Sequence, residues 1–340
     1  MASMLALIGL FLLTLRISRA GAQSIGVCYG LNGNDLPSTQ DVINLYNEKG
    51  IAKMRIYAPF PQVLNALRGN NIELIVDVAN EDIEPLASDA SAAARWVQDN
   101  VLRYVLDVQF KYIAVGNEVL PNFDNAKYIF PAMENLQNAI IAAGLQDQIK
   151  VSTATYTALL AVSSPPSQGS FGNDSKLFMK PIINFLVQNN APLLVNIYPY
   201  FGYIGDQANV GLEYALFTSP GIVVQDGLLG YQNLFDAMLD AHYSALERES
   251  GSNVEIVVSE TGWPSSGNPP AASLKNAGIY YNNVVNHVKG GVGTPKRPGR
   301  VIETYLFAMF DENEKPGAQT ERHFGLFSPN QQPKYSINFN

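Results

Sequence analysis

Eight short apolar runs alternate along this chain with segments of helical periodicity. Short runs rich in aliphatic and aromatic residues are typical of strands buried on both faces of a parallel sheet. The runs are Ile25–Tyr29, Lys53–Tyr57, Glu73–Val78, Tyr112–Gly116, Lys150–Ala154, Leu193–Ile197, Glu255–Ser259 and Ile302–Met309. Strand and helix in alternation give right-handed βαβ units, and eight of them in 340 residues favour a closed (β/α)8 TIM barrel.

The segments between these runs carry apolar residues at three- and four-residue steps, which predicts helices that pack on the barrel. One helix is predicted to begin after the capping residue Ser38 and to end at Gly50. Another is predicted to end at Gly144, a third covers Leu234–Leu246, and a fourth includes Val284. These helices complete an α/β architecture.

An open doubly wound sheet is the alternative fold. Such a fold usually has a glycine-rich phosphate turn after its first strand, and Tyr29–Asn34 lacks the third glycine of that turn. We therefore expect residues 23–340 to form one barrel domain.

The first 22 residues have the pattern of a secretory signal peptide. An apolar run too short to cross a bilayer is followed by the small residues Ala20-Gly21-Ala22, which makes Gln23 the expected mature N-terminus. Arg16 and Arg19 follow the apolar run, whereas a signal peptide usually has its basic residues in front. No later segment is apolar enough to span a membrane, so we expect a secreted, extracellular protein.

Charge and cysteine content exclude several classes of partner. The net charge is −8, and the chain has no basic run, which argues against nucleic acid and anionic membrane surfaces as partners. The single cysteine, Cys28, cannot form an internal disulfide. The three histidines have no paired ligand at metal spacing, so we expect neither a metal nor a cofactor. We expect a monomer, with one glycosylation acceptor at Asn173-Asp174-Ser175.

Two glutamates stand where predicted strands end. Glu118 follows the run Tyr112–Gly116 after Asn117, and Glu260 follows Glu255–Ser259 directly. Because the carboxyl ends of barrel strands meet at one mouth, both side chains are expected to project into it. One protonated and one ionised carboxyl group are what a two-carboxylate hydrolase needs. A buried ion pair is the alternative interpretation of either glutamate alone.

Several motifs together resemble glycoside hydrolase family 17, the plant β-1,3-glucanases. They are Ile25–Gly30, Tyr112–Glu118, Asn196–Phe201, Val254–Gly267 (VEIVVSETGWPSSG) and His323–Phe327, and they cover the mature chain in order. The resemblance implies a (β/α)8 barrel with an open substrate groove across the C-terminal ends of the strands. It also implies an endo-acting enzyme that cleaves β-1,3-glucan. In a plant, its substrates would be fungal wall glucan or callose, and its location the apoplast or cell wall.

The resemblance assigns roles to particular residues. Glu118 would be the acid/base and Glu260 the nucleophile of a retaining mechanism, in which the two carboxyl groups lie ~5–5.5 Å apart. Burial and the like charge of Glu260 would raise the pKa of Glu118. Glu312, Lys315 and Glu321 would form an auxiliary charged cluster near the nucleophile, where Lys315 would favour ionised Glu260. A solvated loop face is the alternative for this charge run.

Other residues are candidates for substrate binding. Asn117 is expected to form a hydrogen bond with the sugar 2-hydroxyl, and a turn-forming role is its alternative. Aromatic side chains at strand ends can stack on sugar faces, although core packing accounts equally well for any one of them. The aromatic candidates are Tyr57, Tyr198, Phe201, Trp263, Phe310 and Phe324. Ala58-Pro59-Phe60 departs from the acidic or amide residue and Pro-Asn usual in the family, which affects the expected groove wall near the second strand.

Two rival functions remain at this stage. A mixed-linkage β-1,3-1,4-glucanase could use the same scaffold, because the catalytic residues do not distinguish linkages and the groove shape does. A non-catalytic glucan-binding protein is the rival from another class. The presence of Glu118, Glu260 and Asn117 favours catalysis over binding alone.

Overall fold

The computed structural model describes residues 24–339, so the predicted signal peptide lies outside the described residues. Eight parallel strands form a closed barrel in which the first strand pairs with both the second and the last. The strands are β1 (Ile25–Cys28), β2 (Lys53–Ile56), β3 (Glu73–Val78), β4 (Gln109–Asn117), β5 (Lys150–Tyr156), β6 (Leu193–Asn196), β7 (Ile256–Thr261) and β8 (Thr304–Leu306). Each predicted strand is present to within a few residues, and the TIM-barrel prediction is confirmed.

Ten α-helices occur within residues 24–339, and the longer ones connect consecutive barrel strands. The helices are α1 (Thr39–Lys49), α2 (Pro61–Ala66), α3 (Ile83–Ser88), α4 (Ala90–Val97), α5 (Ala126–Ala142), α6 (Asn173–Asn189), α7 (Pro199–Gly205), α8 (Leu212–Ala215), α9 (Leu234–Arg248) and α10 (Leu274–Lys289). Short 3-10 helices lie at Asn80–Asp82, Thr157–Leu159, Pro166–Gln168 and Gln319–Arg322, and a π-helical turn covers Gln98–Leu102. Two small hairpins pair Leu160–Val162 with Ser170–Phe171 and Val224–Asp226 with Leu229–Tyr231.

Helix α1 shows how local sequence sets these boundaries. The Ser38 hydroxyl accepts a hydrogen bond from the Asp41 amide at 3.3 Å, which satisfies a free N–H of the first turn. The helix ends at Gly50, whose φ of 70° is the left-handed conformation that glycine adopts without strain. Both predicted boundaries are confirmed.

The apolar interior has two layers. Alternate strand residues such as Val27 and Val76 face outward and pack under the helices in one large cluster. The residues between them, such as Cys28 and Ile75, face inward and form a smaller cluster in the barrel lumen. Cys28 is buried there as a free thiol.

Charged side chains close the barrel at the N-terminal ends of the strands. The Lys111 ammonium lies 2.9 Å from Glu73 and 3.0 Å from Glu303, and Lys53 pairs with the same two carboxylates. Tyr305 also donates a hydrogen bond to Glu303 at 3.0 Å. This network fills the end of the lumen opposite the C-terminal ends of the strands, where TIM-barrel chemistry is usually found.

Candidate active site

A groove of about 1200 Å³ lies across the C-terminal ends of the strands. Ten of the sequence-predicted site residues line it, namely Tyr57, Asn117, Glu118, Tyr198, Phe201, Glu260, Glu312, Lys315, Glu321 and Phe324. The fold therefore brings segments from distant parts of the chain to one opening.

Two predicted aromatic contacts are wrong. Trp263 is fully buried, packs against Tyr200 with ring centroids 5.1 Å apart, and donates its indole N–H to the Ala271 carbonyl at 2.9 Å. Phe310 is 3% exposed and packs against Phe327. Neither ring borders the groove, because both are core residues that support the loops next to it.

Irregular backbone aims both glutamates into the groove. The register of β7 against β6 shifts between Val258 and Glu260, and such irregularities redirect side chains at the rims of barrels. Gly116 near the end of β4 has a φ of 75°, and Glu118, the first residue after the strand, has a φ of 55°. The Glu118 amide donates to the Ala154 carbonyl at 2.9 Å. A positive φ at a non-glycine residue costs on the order of 1 kcal/mol or more, and it is typical of functional sites.

Three donors surround the Glu260 carboxylate. Its Oε1 accepts from the Tyr57 hydroxyl at 2.7 Å and from Arg55 Nη1 at 3.0 Å, and its Oε2 accepts from the Tyr198 hydroxyl at 2.6 Å. Hydrogen bonds from a guanidinium and two hydroxyls hold this carboxylate in a fixed orientation. Tyr57 and Tyr198 were predicted as stacking surfaces, and the structure instead shows them as hydrogen-bond donors to Glu260.

Arg55 forms hydrogen bonds with four side chains of the site. Its guanidinium is fully buried and contacts Asp77 through two nitrogens, at 2.7 and 3.2 Å. It also donates to Glu260, to Asn196 Oδ1 at 3.1 Å and to Asn117 Oδ1 at 2.9 Å. A fork of donors held in this way fixes the relative positions of its partners.

The sequence reasoning missed Arg55, Asp77 and Asn196. A signal was present, because Arg55 and Asp77 interrupt the otherwise apolar runs at the ends of β2 and β3. Charged residues are almost never fully buried unless they are paired. Two opposite charges in neighbouring buried strands therefore indicate an internal ion pair.

Glu118 has different surroundings from Glu260. Its carboxyl accepts a hydrogen bond from Asn196 Nδ2 at 2.8 Å. Burial, together with the negative charge of Glu260, raises the pKa of Glu118 to about 7. The direction and both causes agree with the sequence prediction.

Asn196 also links the two glutamates. Its amide nitrogen bonds Glu118, and its amide oxygen accepts from Arg55, which holds Glu260. The side chain of Asn117 is fixed beside this bridge by the hydrogen bonds from Arg55 and Asn196 to its oxygen. Within residues 24–339, the NH₂ group of Asn117 has no acceptor, and Asn117 lines the groove.

The charged cluster lies in the groove wall and is not a solvated loop face. Glu312 is buried, accepts the Asn32 amide at 2.8 Å, and has its pKa raised mainly by burial. Lys315 lies 3.4 Å from Glu321 and 3.9 Å above the Phe307 ring. The direct cationic partner of Glu260 is therefore Arg55, whereas Lys315 pairs with Glu321.

The remaining aromatic candidates differ in exposure. Phe201 is 42% exposed on the groove, whereas Phe324 borders the groove while only 2% exposed. An exposed ring offers a face on which a sugar can stack. Phe60, from the segment that departs from the family pattern, is partly exposed and also lines the groove. Tyr156, which sequence reasoning did not single out, does the same.

In the part of the chain between residues 24 and 339, no three His, Cys, Asp or Glu side chains are grouped to hold a metal ion. Over the same residues, no helix is both long and apolar enough to cross a bilayer.

The chain is similar to curated plant proteins over nearly its whole length. A glucan endo-1,3-beta-glucosidase of Vitis vinifera is 63% identical, over 94% of this chain and 92% of that protein. An acidic isoform of glucan endo-1,3-beta-glucosidase from Nicotiana tabacum is 58% identical, over 100% of this chain and 97% of its own length.

Solved structures and a family model agree with these relatives. A beta-1,3-glucanase and allergen of Cryptomeria japonica pollen superposes with a TM-score of 0.89 at 48% identity, covering 93% of this chain and 99% of that chain. A structure described among two plant beta-glucan endohydrolases with distinct substrate specificities has a TM-score of 0.88 at 46% identity, covering 92% and 99%. The model of glycosyl hydrolases family 17 matches residues 25–339. With its barrel, its groove and its paired glutamates, this chain is a glycoside hydrolase and belongs to glycosyl hydrolases family 17.

Proposed function

We propose that this protein is an endo-acting β-1,3-glucanase that cleaves its substrate with retention of configuration. The observation that carries the proposal is one groove holding two glutamates in opposite environments. Burial raises the pKa of Glu118 to about 7, whereas Glu260 accepts hydrogen bonds from Arg55 and two tyrosines. The plant relatives that carry the name glucan endo-1,3-beta-glucosidase support the choice of substrate.

The first step joins the sugar to the enzyme. Protonated Glu118 gives its proton to the glycosidic oxygen while a Glu260 oxygen attacks the anomeric carbon. The bond to the departing sugar breaks, and a glycosyl ester with Glu260 forms. Tyr57 and Tyr198 each hold one Glu260 oxygen, so the carboxylate reaches the carbon in a fixed orientation.

The second step releases the sugar. Glu118, now ionised, takes a proton from a water molecule, and the water oxygen attacks the same anomeric carbon. The ester bond breaks, which restores ionised Glu260 and protonated Glu118. Two inversions at one carbon leave the product with its original configuration. The free NH₂ group of Asn117 is placed to donate to the sugar 2-hydroxyl, a contact that strengthens in the transition state.

The extent of the groove supports cleavage within a chain. Its lining includes Asn32 and Phe60, which follow β1 and β2, and Ala158 and Phe201, which follow β5 and β6 on the opposite side of the barrel. A polymer can thus occupy sites on both sides of the scissile bond. The charged wall of Glu312, Lys315 and Glu321 can hydrogen-bond sugar hydroxyls.

Secretion and a role in defence complete the proposal. The signal-peptide pattern of residues 1–22 supports export to the cell wall space. An exported plant enzyme of this type would meet callose and the β-glucans of fungal walls.

A mixed-linkage β-1,3-1,4-glucanase is the second candidate. A plant structure with a TM-score of 0.88 is described as one of two beta-glucan endohydrolases with distinct substrate specificities, so a match in fold does not by itself fix the linkage preference. Ala58 and Phe60, which replace the polar residues usual in the family, lie in the groove wall. This wall is where linkage preference would be set.

Sugar release from two polymers tests the assignment. We expect reducing ends to appear from laminarin and far fewer from barley mixed-linkage glucan. Glu260→Ala should abolish release from laminarin while laminarin binding survives. Preference for the mixed-linkage polymer would favour the second candidate, and undiminished hydrolysis by Glu260→Ala would refute the nucleophile assignment.

A further inference from the structure

One motif in the sequence has no part in the groove chemistry. Asn173-Asp174-Ser175 is the only Asn-x-Ser/Thr triplet with a residue other than proline in the middle. This pattern is the acceptor for N-linked glycosylation of exported proteins.

The structure presents Asn173 as an accessible acceptor. Asn173 is the first residue of α6 and is exposed, as is Asp174. Gly172 precedes it in an extended conformation and contributes no side chain. Across residues 24–339, no hydrogen bond involves the Asn173 side-chain amide, so a group attached there breaks no hydrogen bond.

Two exposed apolar side chains lie on the elements next to this acceptor. Leu177 lies four residues along α6, which places it on the same helix face as Asn173, and it is 75% exposed. Val162 is 39% exposed at the end of the small strand that pairs with Ser170–Phe171, directly before the motif. Leu177 therefore offers an exposed apolar side chain on which the first sugars of a glycan can lie.

The acceptor stands beside the groove without entering it. The Gly172 amide donates to the Leu159 carbonyl at 3.2 Å, and the neighbouring residues Thr157 and Ala158 line the groove. A glycan at Asn173 would rise from the outer side of the groove wall that follows β5. It would leave Glu118 and Glu260 uncovered.

We propose that Asn173 carries an N-linked glycan that covers Leu177. In the transfer step, the Asn173 amide nitrogen attacks the first carbon of the sugar of a lipid-linked oligosaccharide diphosphate donor. An N–C bond forms, the C–O bond to the donor's diphosphate breaks, and the amide loses one proton. The inference rests on the proposed secretion, because such donors are supplied along the secretory route.

Expression of the full chain with its own leader in secreting plant cells tests the proposal. We expect the exported protein to lose mass when treated with an amidase that removes N-linked glycans, leaving an aspartate in place of Asn173. Ser175→Thr should keep this mass loss, and Ser175→Ala should eliminate it. Asp174→Pro should also eliminate it while Asn173 stays in place, because proline is tolerated in the first turn of a helix.

The possible outcomes distinguish the proposed glycan from the proposed secretion. An exported protein without the mass loss would overturn the glycan and leave secretion intact, whereas a protein retained in the cytosol would overturn both. Ser175→Ala should hydrolyse laminarin at the original rate and aggregate at lower concentration, and adding Leu177→Gln should restore its solubility. If Ser175→Ala and the glycosylated protein were equally soluble, the covering of Leu177 would be refuted.

Discussion

Glu118 and Glu260 have the same carboxyl group and different neighbours. Glu118 is held by one neutral amide and repelled by a like charge, while Glu260 receives hydrogen bonds from a guanidinium and two hydroxyls. Surroundings that differ in this way are what distinguish an acid from a nucleophile.

The pH dependence of hydrolysis should report Glu118. Because its pKa is raised to about 7, the carboxyl keeps its proton below that pH and loses it above, so kcat/KM for laminarin should fall as pH rises through about 7. Glu118→Gln should lower kcat roughly 10²–10⁴-fold and remove this limb of the profile. An aryl glucoside with a good leaving group, which needs no acid, should still release its aryl group in the mutant. Loss of that release too would contradict the acid role.

We expect Arg55 to support kcat through the geometry of its hydrogen bonds as well as through its charge. Arg55→Lys keeps the positive charge but cannot bridge Asp77, Glu260 and Asn196 together, so we expect kcat to fall roughly 10²-fold with little change in KM. Arg297→Lys, outside the barrel beside Glu247, is the matched control and should be neutral. Equal kcat values for the two variants would rule out a positioning role for Arg55.

Individual residues show where sequence reasoning reached its limit. Both glutamates and Asn117 could be identified because they end strands at one mouth of a barrel. The roles of Tyr57 and Tyr198 could not, since a tyrosine can offer either its ring or its hydroxyl, and only the position of Glu260 decides between them. The motif containing Trp263 correctly indicated the family, although the Trp263 side chain packs in the core.

At the scale of elements, the irregular ends of β4 and β7 direct Glu118 and Glu260 into the groove. Each end has a register irregularity, and β4 adds two residues with positive φ. Apolar periodicity predicted where these strands lie, because burial determines which residues occupy them. It contained no information on the irregularities, which depend on contacts with neighbouring strands.

Two glycines with similar backbone angles offer a matched pair of mutations. Gly116 (φ 75°) lies where an added Cβ would be 2.8 Å from Ile83 and 2.9 Å from Ile129, whereas an added Cβ at Gly144 (φ 72°) meets nothing within 4 Å. Urea unfolding should show a loss of about 1 kcal/mol for Gly144→Ala, with kcat unchanged. Gly116→Ala should lose about 2 kcal/mol or more and should also lower kcat, since Glu118 is displaced. Unchanged kcat in Gly116→Ala would show that this strand end does not position the acid.

At the scale of the whole molecule, residues that stabilise the barrel and residues that line the groove lie at opposite ends of it. The network of Lys53, Glu73, Lys111 and Glu303 closes the N-terminal end, and the groove occupies the other. TIM barrels commonly divide their two faces in this way.

Mutation at the closed end should affect only stability. Glu303→Gln removes the charge opposite Lys53 and Lys111, and we expect it to lower the free energy of unfolding by about 3 kcal/mol, since a buried cation loses part of its compensation. The activity of the folded enzyme should not change. Arg95→Ala, which breaks an exposed pair with Asp89, should have little effect on either quantity. A kcat that fell with stability in Glu303→Gln would argue against this separation.

Covalent trapping tests the central claim most directly. A 2-fluoro β-glucoside with a good leaving group slows the second step, so the glycosyl-enzyme should accumulate and the peptide that contains Glu260 should gain the mass of the sugar. Glu118→Gln should still be labelled at that peptide, because the first step then needs no acid. A label on another peptide, such as the one containing Glu312, or hydrolysis without any covalent label, would contradict the assignment of Glu260 as the nucleophile.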